Sequence, residues 1–185
     1  NSDNYDDYEA AGECPRCDDD GTTRQMMVAL PGELLVTEVF SNPESSPDTG
    51  KEWVELKNIG AYDLDLNYLT IKSTNGGDTT FTPDIDSSAC VRLTVGDYGV
   101  IGGENAAEIG LSIDVAVTGL QFHNSGGTGE LIVDILRDSN EIDTALLPLV
   151  VNTAGKSYGL DPLKSAATDN DLSSAFCWAS TDNLF

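Results

Sequence analysis

Short apolar runs alternate with polar turns along the chain, and the runs carry the period of strands rather than helices. Leu34–Phe40 reads as a strand that stops at the loop from Ser41-Asn42-Pro43 to Gly50. Trp53–Asn58 alternates, with Val54 and Leu56 on one face and Trp53, Glu55 and Lys57 on the other. Leu69–Lys72 is a short strand that ends at Asn75-Gly76-Gly77, a hairpin-type turn. Cys90–Val95 and Tyr98–Ile101 are separated by Gly96-Asp97. Leu131–Leu136 is apolar on both faces, as a central strand is, and turns at Asp138-Ser139-Asn140 into Ile142–Leu147. A last strand is expected near Ser157–Leu160. No segment sustains a long 3.6-residue period, so the pattern predicts an all-β fold, an antiparallel β-sandwich. Ahead of it, Thr22–Leu30 ends in the apolar run Met26-Met27-Val28-Ala29-Leu30, which Pro31-Gly32 breaks off.

Charge changes this picture at one end. The chain has 185 residues, with 9 Lys and Arg against 32 Asp and Glu, for a net charge of −23 and a sequence pI near 4.1. So acidic a surface repels phosphate and anionic headgroups, which argues against nucleic-acid and electrostatic membrane binding. The chain is nevertheless 39% hydrophobic, enough for a packed core, and its length suits one domain. No apolar stretch approaches the roughly 18 residues that span a bilayer, so membrane insertion is not expected. The first 21 residues carry Asp3, Asp6, Asp7, Glu9, Glu13, Asp18, Asp19 and Asp20 against Arg16 alone. Alone in water such a segment repels itself and stays unfolded. Ordering it requires bound cations, a disulfide or a neighbouring molecule. Residues 1–32 therefore read as an acidic N-terminal extension, and 33–185 as the sandwich.

Four cysteines, Cys14, Cys17, Cys90 and Cys177, together with the acidity, fit an oxidising extracellular compartment. The start at Asn1 fits a processed, mature protein. Three pairings are open. A Cys90–Cys177 bridge would pin the C-terminal segment to the sandwich. Cys14 and Cys17 would form a local bridge or pair with the later two. A thioredoxin-like role lacks the strand-then-helix context, and a four-thiolate zinc site lacks ligand spacing in its second half.

Several segments, taken in order, resemble the lamin tail domain family. Leu34-Leu35-Val36-Thr37-Glu38-Val39, Asn42-Pro43 and Glu52-Trp53-Val54-Glu55-Leu56-Lys57-Asn58 open the match. Asp65-Leu66 with Tyr68-Leu69-Thr70-Ile71 is similar to the family's D-L-x-x-W-x-L step, with Tyr68 in place of the Trp. Gly96-Asp97-Tyr98-Gly99-Val100-Ile101-Gly102 and Asn124-Ser125-Gly126-Gly127 leading into Leu131-Ile132-Val133 continue it. Gly155-Lys156-Ser157-Tyr158-Gly159-Leu160-Asp161-Pro162 is similar to the closing segment of bacterial members. The resemblance covers about 33–178. It implies an immunoglobulin-like β-sandwich, no catalytic motif, and a secreted or cell-surface setting. The coiled-coil rod of lamins is absent, so a lamin function does not follow.

Candidate chemistry is sparse. Asp18-Asp19-Asp20-Gly21 suggests calcium, although the spacing is not that of an EF-hand. Glu38 shares strand parity with Leu34, Val36 and Phe40, and Glu52 shares it with Val54 and Leu56. Carboxylates on apolar faces are costly unless paired or metal-bound, so Glu38 and Glu52 are candidates for a second calcium site. Pairing with Lys51, Lys57 or backbone donors, or exposure at a strand end, is the plainer alternative. His123 is the single histidine, and no P-loop, Gly-x-Ser-x-Gly or HExxH pattern occurs. No catalytic residue is expected. Thr22–Leu30 is either an extra strand on its own sandwich or a donor strand for a neighbouring subunit, with Met26, Val28 and Leu30 filling the contact. Repeated head to tail, that contact yields a filament. The sequence thus reads as a non-enzymatic extracellular structural or adhesive protein, self-assembling through its N-terminal extension. The alternative is a monomeric binding module for a protein or glycan.

Overall fold

A computed structural model of the chain describes residues 27–44, 50–75, 78–81, 85, 91–123, 130–148 and 154–178. Cys14, Cys17, Asp18, Asp20, Met26 and Cys90 lie outside these residues. The strands are β1 (Met27–Val28), β2 (Leu34–Phe40), β3 (Trp53–Asn58), β4 (Leu64–Asp65), β5 (Leu69–Asn75) and β6 (Asp78–Phe81). They continue with β7 (Arg92–Leu93), β8 (Tyr98–Gly103), β9 (Val115–Val117), β10 (Glu130–Arg137), β11 (Asn140–Pro148), β12 (Tyr158–Leu160) and β13 (Phe176–Trp178). Among the described residues the only helical pieces are two 3-10 turns, at Ala106–Ile109 and Ser173–Ala175.

The strands form an all-β sandwich. One sheet has the order β13-β12-β2-β3-β8-β9, a second has the order β11-β10-β5-β6, and a small third one joins β1, β4 and β7. Most pairings are antiparallel, as expected, but β1–β4 and β8–β9 are parallel. Between the sheets lies one apolar cluster. Val36, Val39, Val54, Leu56 and Ile101 face it from the larger sheet, and Ile71, Leu131, Val133, Ile135, Ala145 and Leu147 from the smaller. β10 is central, paired on both sides, which accounts for its two apolar faces. Ala29 of the N-terminal extension is 1% exposed and belongs to this core. The described end of the extension therefore packs on its own sandwich.

Turn chemistry decides where strands reverse. Asp138 and Ser139 both take positive φ (49° and 68°) between the paired residues Arg137 and Asn140, a two-residue hairpin of the primed type that suits strand twist. Tyr68 also has positive φ (65°), in the turn from β4 to β5, where its N–H donates to Ile85 O.

A bulge in β2 reorders the expected faces. Val36 pairs with Leu56 but Glu38 pairs with Glu55, so Thr37 is the extra residue. Core parity passes from Leu34 and Val36 to Val39. Glu38, assigned by strict alternation to the apolar face, therefore lies on the opposite face.

Glycine is required where β8 crosses the loop before β3. A Cβ on Gly103 would lie 2.5 Å from the Gly50 carbonyl oxygen, a backbone atom that cannot swing aside. A Cβ on Gly159 would meet nothing within 4 Å. We predict that Gly103→Ala destabilises the fold by about 1–3 kcal/mol or more, while Gly159→Ala changes stability by less than about 0.5 kcal/mol. Urea unfolding of the two variants beside the parent checks this.

Candidate functional site

Buried carboxylates are the distinctive chemistry of this sandwich, and each is tied to the chain's own hydrogen-bond donors. Glu52, just before β3, is 3% exposed, and its Oε2 accepts from Phe122 N at 2.5 Å. The next amide, His123 N, donates to Ser73 Oγ of β5 at 3.0 Å. Two consecutive N–H groups of segment 120–123 thus reach opposite sheets, and the nearly buried Phe122 ring fills the space between them. Glu52 acts here as a main-chain acceptor, the plainer of its two expected roles. Lys51 pairs with Glu108 at 3.6 Å.

At another loop cluster, Asp63 Oδ2 accepts from Arg92 Nε (3.0 Å) and Nη2 (2.5 Å), while its Oδ1 accepts from Val95 N. Asp65 Oδ1 accepts from Asn67 N, Asn67 Nδ2 and Val91 N. Asn58, fully buried, donates to Tyr62 O and Leu93 O. These contacts pin the loops that carry the exposed Tyr62 and Val95, and Lys57 Nζ lies 4.8 Å from the ring centre of the exposed Tyr98 at the start of β8.

Glu38 and Glu55 face each other across β2 and β3. Glu38 accepts from Ser157 Oγ, and Glu55 Oε1 accepts from Thr37 Oγ1 at 2.6 Å. Burial holds the Glu55 carboxyl above its ordinary value; the Thr37 hydrogen bond opposes the shift and the Glu38 charge adds to it. Among the described residues no group of three or more His, Cys, Asp or Glu side chains is placed to hold a metal ion. Glu38 and Glu52 lie in separate hydrogen-bonded sites.

A further buried carboxyl joins three elements. Asp143 of β11 projects from the inner face opposite Ile135 and is 5% exposed. Its Oδ2 accepts from Val36 N and from Asn170 Nδ2, each at 2.7 Å. Asn170, 0% exposed, also donates weakly to Val36 O at 3.4 Å, and its own carbonyl accepts from Leu146 N at 2.9 Å. Burial pushes the Asp143 carboxyl up to about 7, against the hydrogen bonds from Val36, Asn170 and the Thr144 main chain and with help from the Asp171 charge. Nothing in the sequence marks this site, because its members are 134 residues apart at the extremes.

The remaining expected site residues are placed as follows. Val28 is half-buried in β1, paired with Asp65, and Leu30 is 37% exposed at the turn after it. Cys177, expected in a disulfide, is an exposed free thiol on the edge strand β13. Of the described residues, no helix is long and apolar enough to cross a membrane. Neither the protein-family models nor the curated proteins include a match to this chain.

Two outcomes follow for these carboxyls. Glu52→Ala leaves the buried Phe122 N–H without its acceptor and costs about 1–3 kcal/mol, whereas Glu52→Gln keeps an oxygen there and costs less; chemical denaturation distinguishes them. The Asp143 carboxyl is raised from 3.8 to about 7 on folding, so the folded state binds its proton more tightly. Its stabilising contribution is complete below the unfolded value and is lost as pH rises through about 7, a change on the order of a few kcal/mol. The stability gap between the parent and Asp143→Asn, followed by urea titration, should therefore move in favour of the variant as pH increases over that window.

Proposed function

We propose that this chain is a non-enzymatic extracellular module of the lamin-tail kind, structural or adhesive in role, which acts through its surface. The supporting observation is the engagement of the buried carboxyls. Glu52, Asp63, Asp65 and Asp143 each accept main-chain N–H groups, and Asp134 accepts from Thr144 Oγ1 and pairs with Lys72. Acids spent in this way hold loops and sheets together and are poorly placed to exchange protons with a substrate. The order of the segments that resemble the lamin tail, and the all-β sandwich they occupy, support the same reading.

The position of β1 bears on how such a module works. β1 pairs with β4 of its own chain and leads Ala29 into its own core, which favours a self-contained sandwich that binds a protein or glycan. The second reading is a filament in which this strand is donated to the next copy. It draws support from the slightness of the pairing among the described residues, Met27 with Leu64 and Val28 with Asp65. The same groove would accept the same segment from a neighbour. Calcium enters either reading through Asp18 and Asp20 of the extension.

Light scattering on the intact protein across a concentration series, with calcium and with a chelator, separates the two. The self-contained module stays a monomer throughout. Growth with concentration that Val28→Asp abolishes, by setting a second carboxylate beside Asp65, transfers the assignment to the filament. Turnover of a glycan or peptide library by the purified protein would overturn both.

A further inference from the structure

β12 pairs with β2 only at Val39 and Glu38, so its ladder stops short of Val36. At Val36 two side chains replace the missing strand: Asp143 Oδ2 takes its N–H, and Asn170 Nδ2 reaches its C=O. Both groups near Asn170 Nδ2 are oxygens, Asp143 Oδ2 and Val36 O, which fixes the amide's orientation. That orientation leaves Asn170 Oδ1 buried and, among the described residues, without a donor. An unsatisfied acceptor at 0% exposure is costly, and the N–H groups of Val36 and Thr144 are already given to Asp143. A neutral carboxyl supplies the missing donor. An amide and a carboxylic acid pair reciprocally, the amide N–H to one acid oxygen and the acid O–H to the amide oxygen. Half of that pair is present, at 2.7 Å.

We propose that Asp143 carries a proton which it donates to Asn170 Oδ1, and that this proton latches the segment 161–172 onto both sheets. The surroundings agree. From β10, Ile135 is the register partner of Asp143; the flanking Asp134 is paired with Lys72, and Arg137 donates to Asn67 O. From β2, Val36 meets it, and Glu38 beyond the bulge is engaged by Ser157. On β11 itself Glu141 is exposed. From the C-terminal segment the acting charge is Asp171, an anion that disfavours a second one, while Asp169 is turned to Ser165 N, Ala166 N and Lys164. The carboxyl is poised near 7, so the proton leaves around neutral pH.

The latch holds more than itself. Apart from Asn170 the segment 161–172 is exposed or half-exposed, with Leu163 89% and Leu172 63% exposed. Its buried anchor is Asn170, whose carbonyl also covers Leu146 N on β11, the edge of the smaller sheet. Loss of the proton leaves a buried anion beside Asp171, loosens Asn170 and uncovers the β11 edge. This inference is independent of the functional reading above, since it concerns protonation within one chain.

The test is an NMR titration of the intact protein from about pH 5 to about pH 8.5. Expected are a midpoint near 7 for the Asp143 carboxyl carbon and, beyond the intrinsic pH effect, about a tenfold loss of exchange protection at the Val36 and Leu146 amides per pH unit as pH rises toward that midpoint, levelling off above it. Asp143→Asn, which places a permanent N–H donor opposite Asn170 Oδ1, should hold that protection constant over the range. Titration of Asp143 in the ordinary carboxylate range would overturn the proposal. So would protection in the parent that is independent of pH, or an Asp143→Asn variant that retains the parent's pH dependence.

Discussion

A buried peptide group must have a partner, and in this sandwich the peptide groups of Val36 set the terms for much else. The bulge at Thr37 gives β2 its change of face, and the neighbouring strand β12 reaches only to Glu38. Val36 is fully buried just beyond that point. Without Asp143 and Asn170 its N–H would lose its acceptor, at a cost comparable to a large share of a small domain's stability. Supplying that partner brings a carboxyl from one sheet and an amide from the C-terminal segment to the same place. The site therefore fixes the relation of the sheets and the docking of segment 161–172 together. It also buries an acid under conditions that favour its neutral form.

The same solution recurs with different residues. Phe122 and His123 enter between the sheets at a point where their N–H groups have no ladder, and Glu52 and Ser73 receive them. Val91 and Val95, in the segment around β7, are received by Asp65 and Asp63. A sandwich built of short strands has many ladder ends, and each end leaves buried donors. Carboxylates suit the task because they accept several hydrogen bonds and do not donate. Part of the acidity of this chain is thus internal architecture, and the net charge overstates what is left for the surface.

Much of the fold was legible because strand alternation is local. β2 and β3 match the expected Leu34–Phe40 and Trp53–Asn58, and β10 lies centrally, as its two apolar faces implied. The strands that escaped are short or polar. Leu64–Asp65 and Val115–Val117 are two and three residues long, Asp78–Phe81 is mostly polar, and Phe176–Trp178 follows a polar stretch without periodicity. Each exists because a neighbour offers it hydrogen bonds, and a neighbour is not visible in a linear pattern. Glu38 was misplaced for a related reason: one extra residue inverts every side chain after it, and the bulge is set by pairing with β3.

By itself the sequence determined that this is an all-β chain, where its long strands lie, that the chain turns at Asp138-Ser139-Asn140, and that its first 21 residues are strongly acidic. Those properties reside in neighbouring residues, through alternation, turn propensity and self-repulsion. The tertiary structure alone decided which carboxyls are buried and what they hold. It set Glu52 against Phe122, Asp143 against Val36 and Asn170, and Ala29 in the core of its own sandwich. Such contacts join residues up to 134 positions apart. They arise from the demand that buried N–H and C=O groups be paired, and that demand can be answered only once the strands have met.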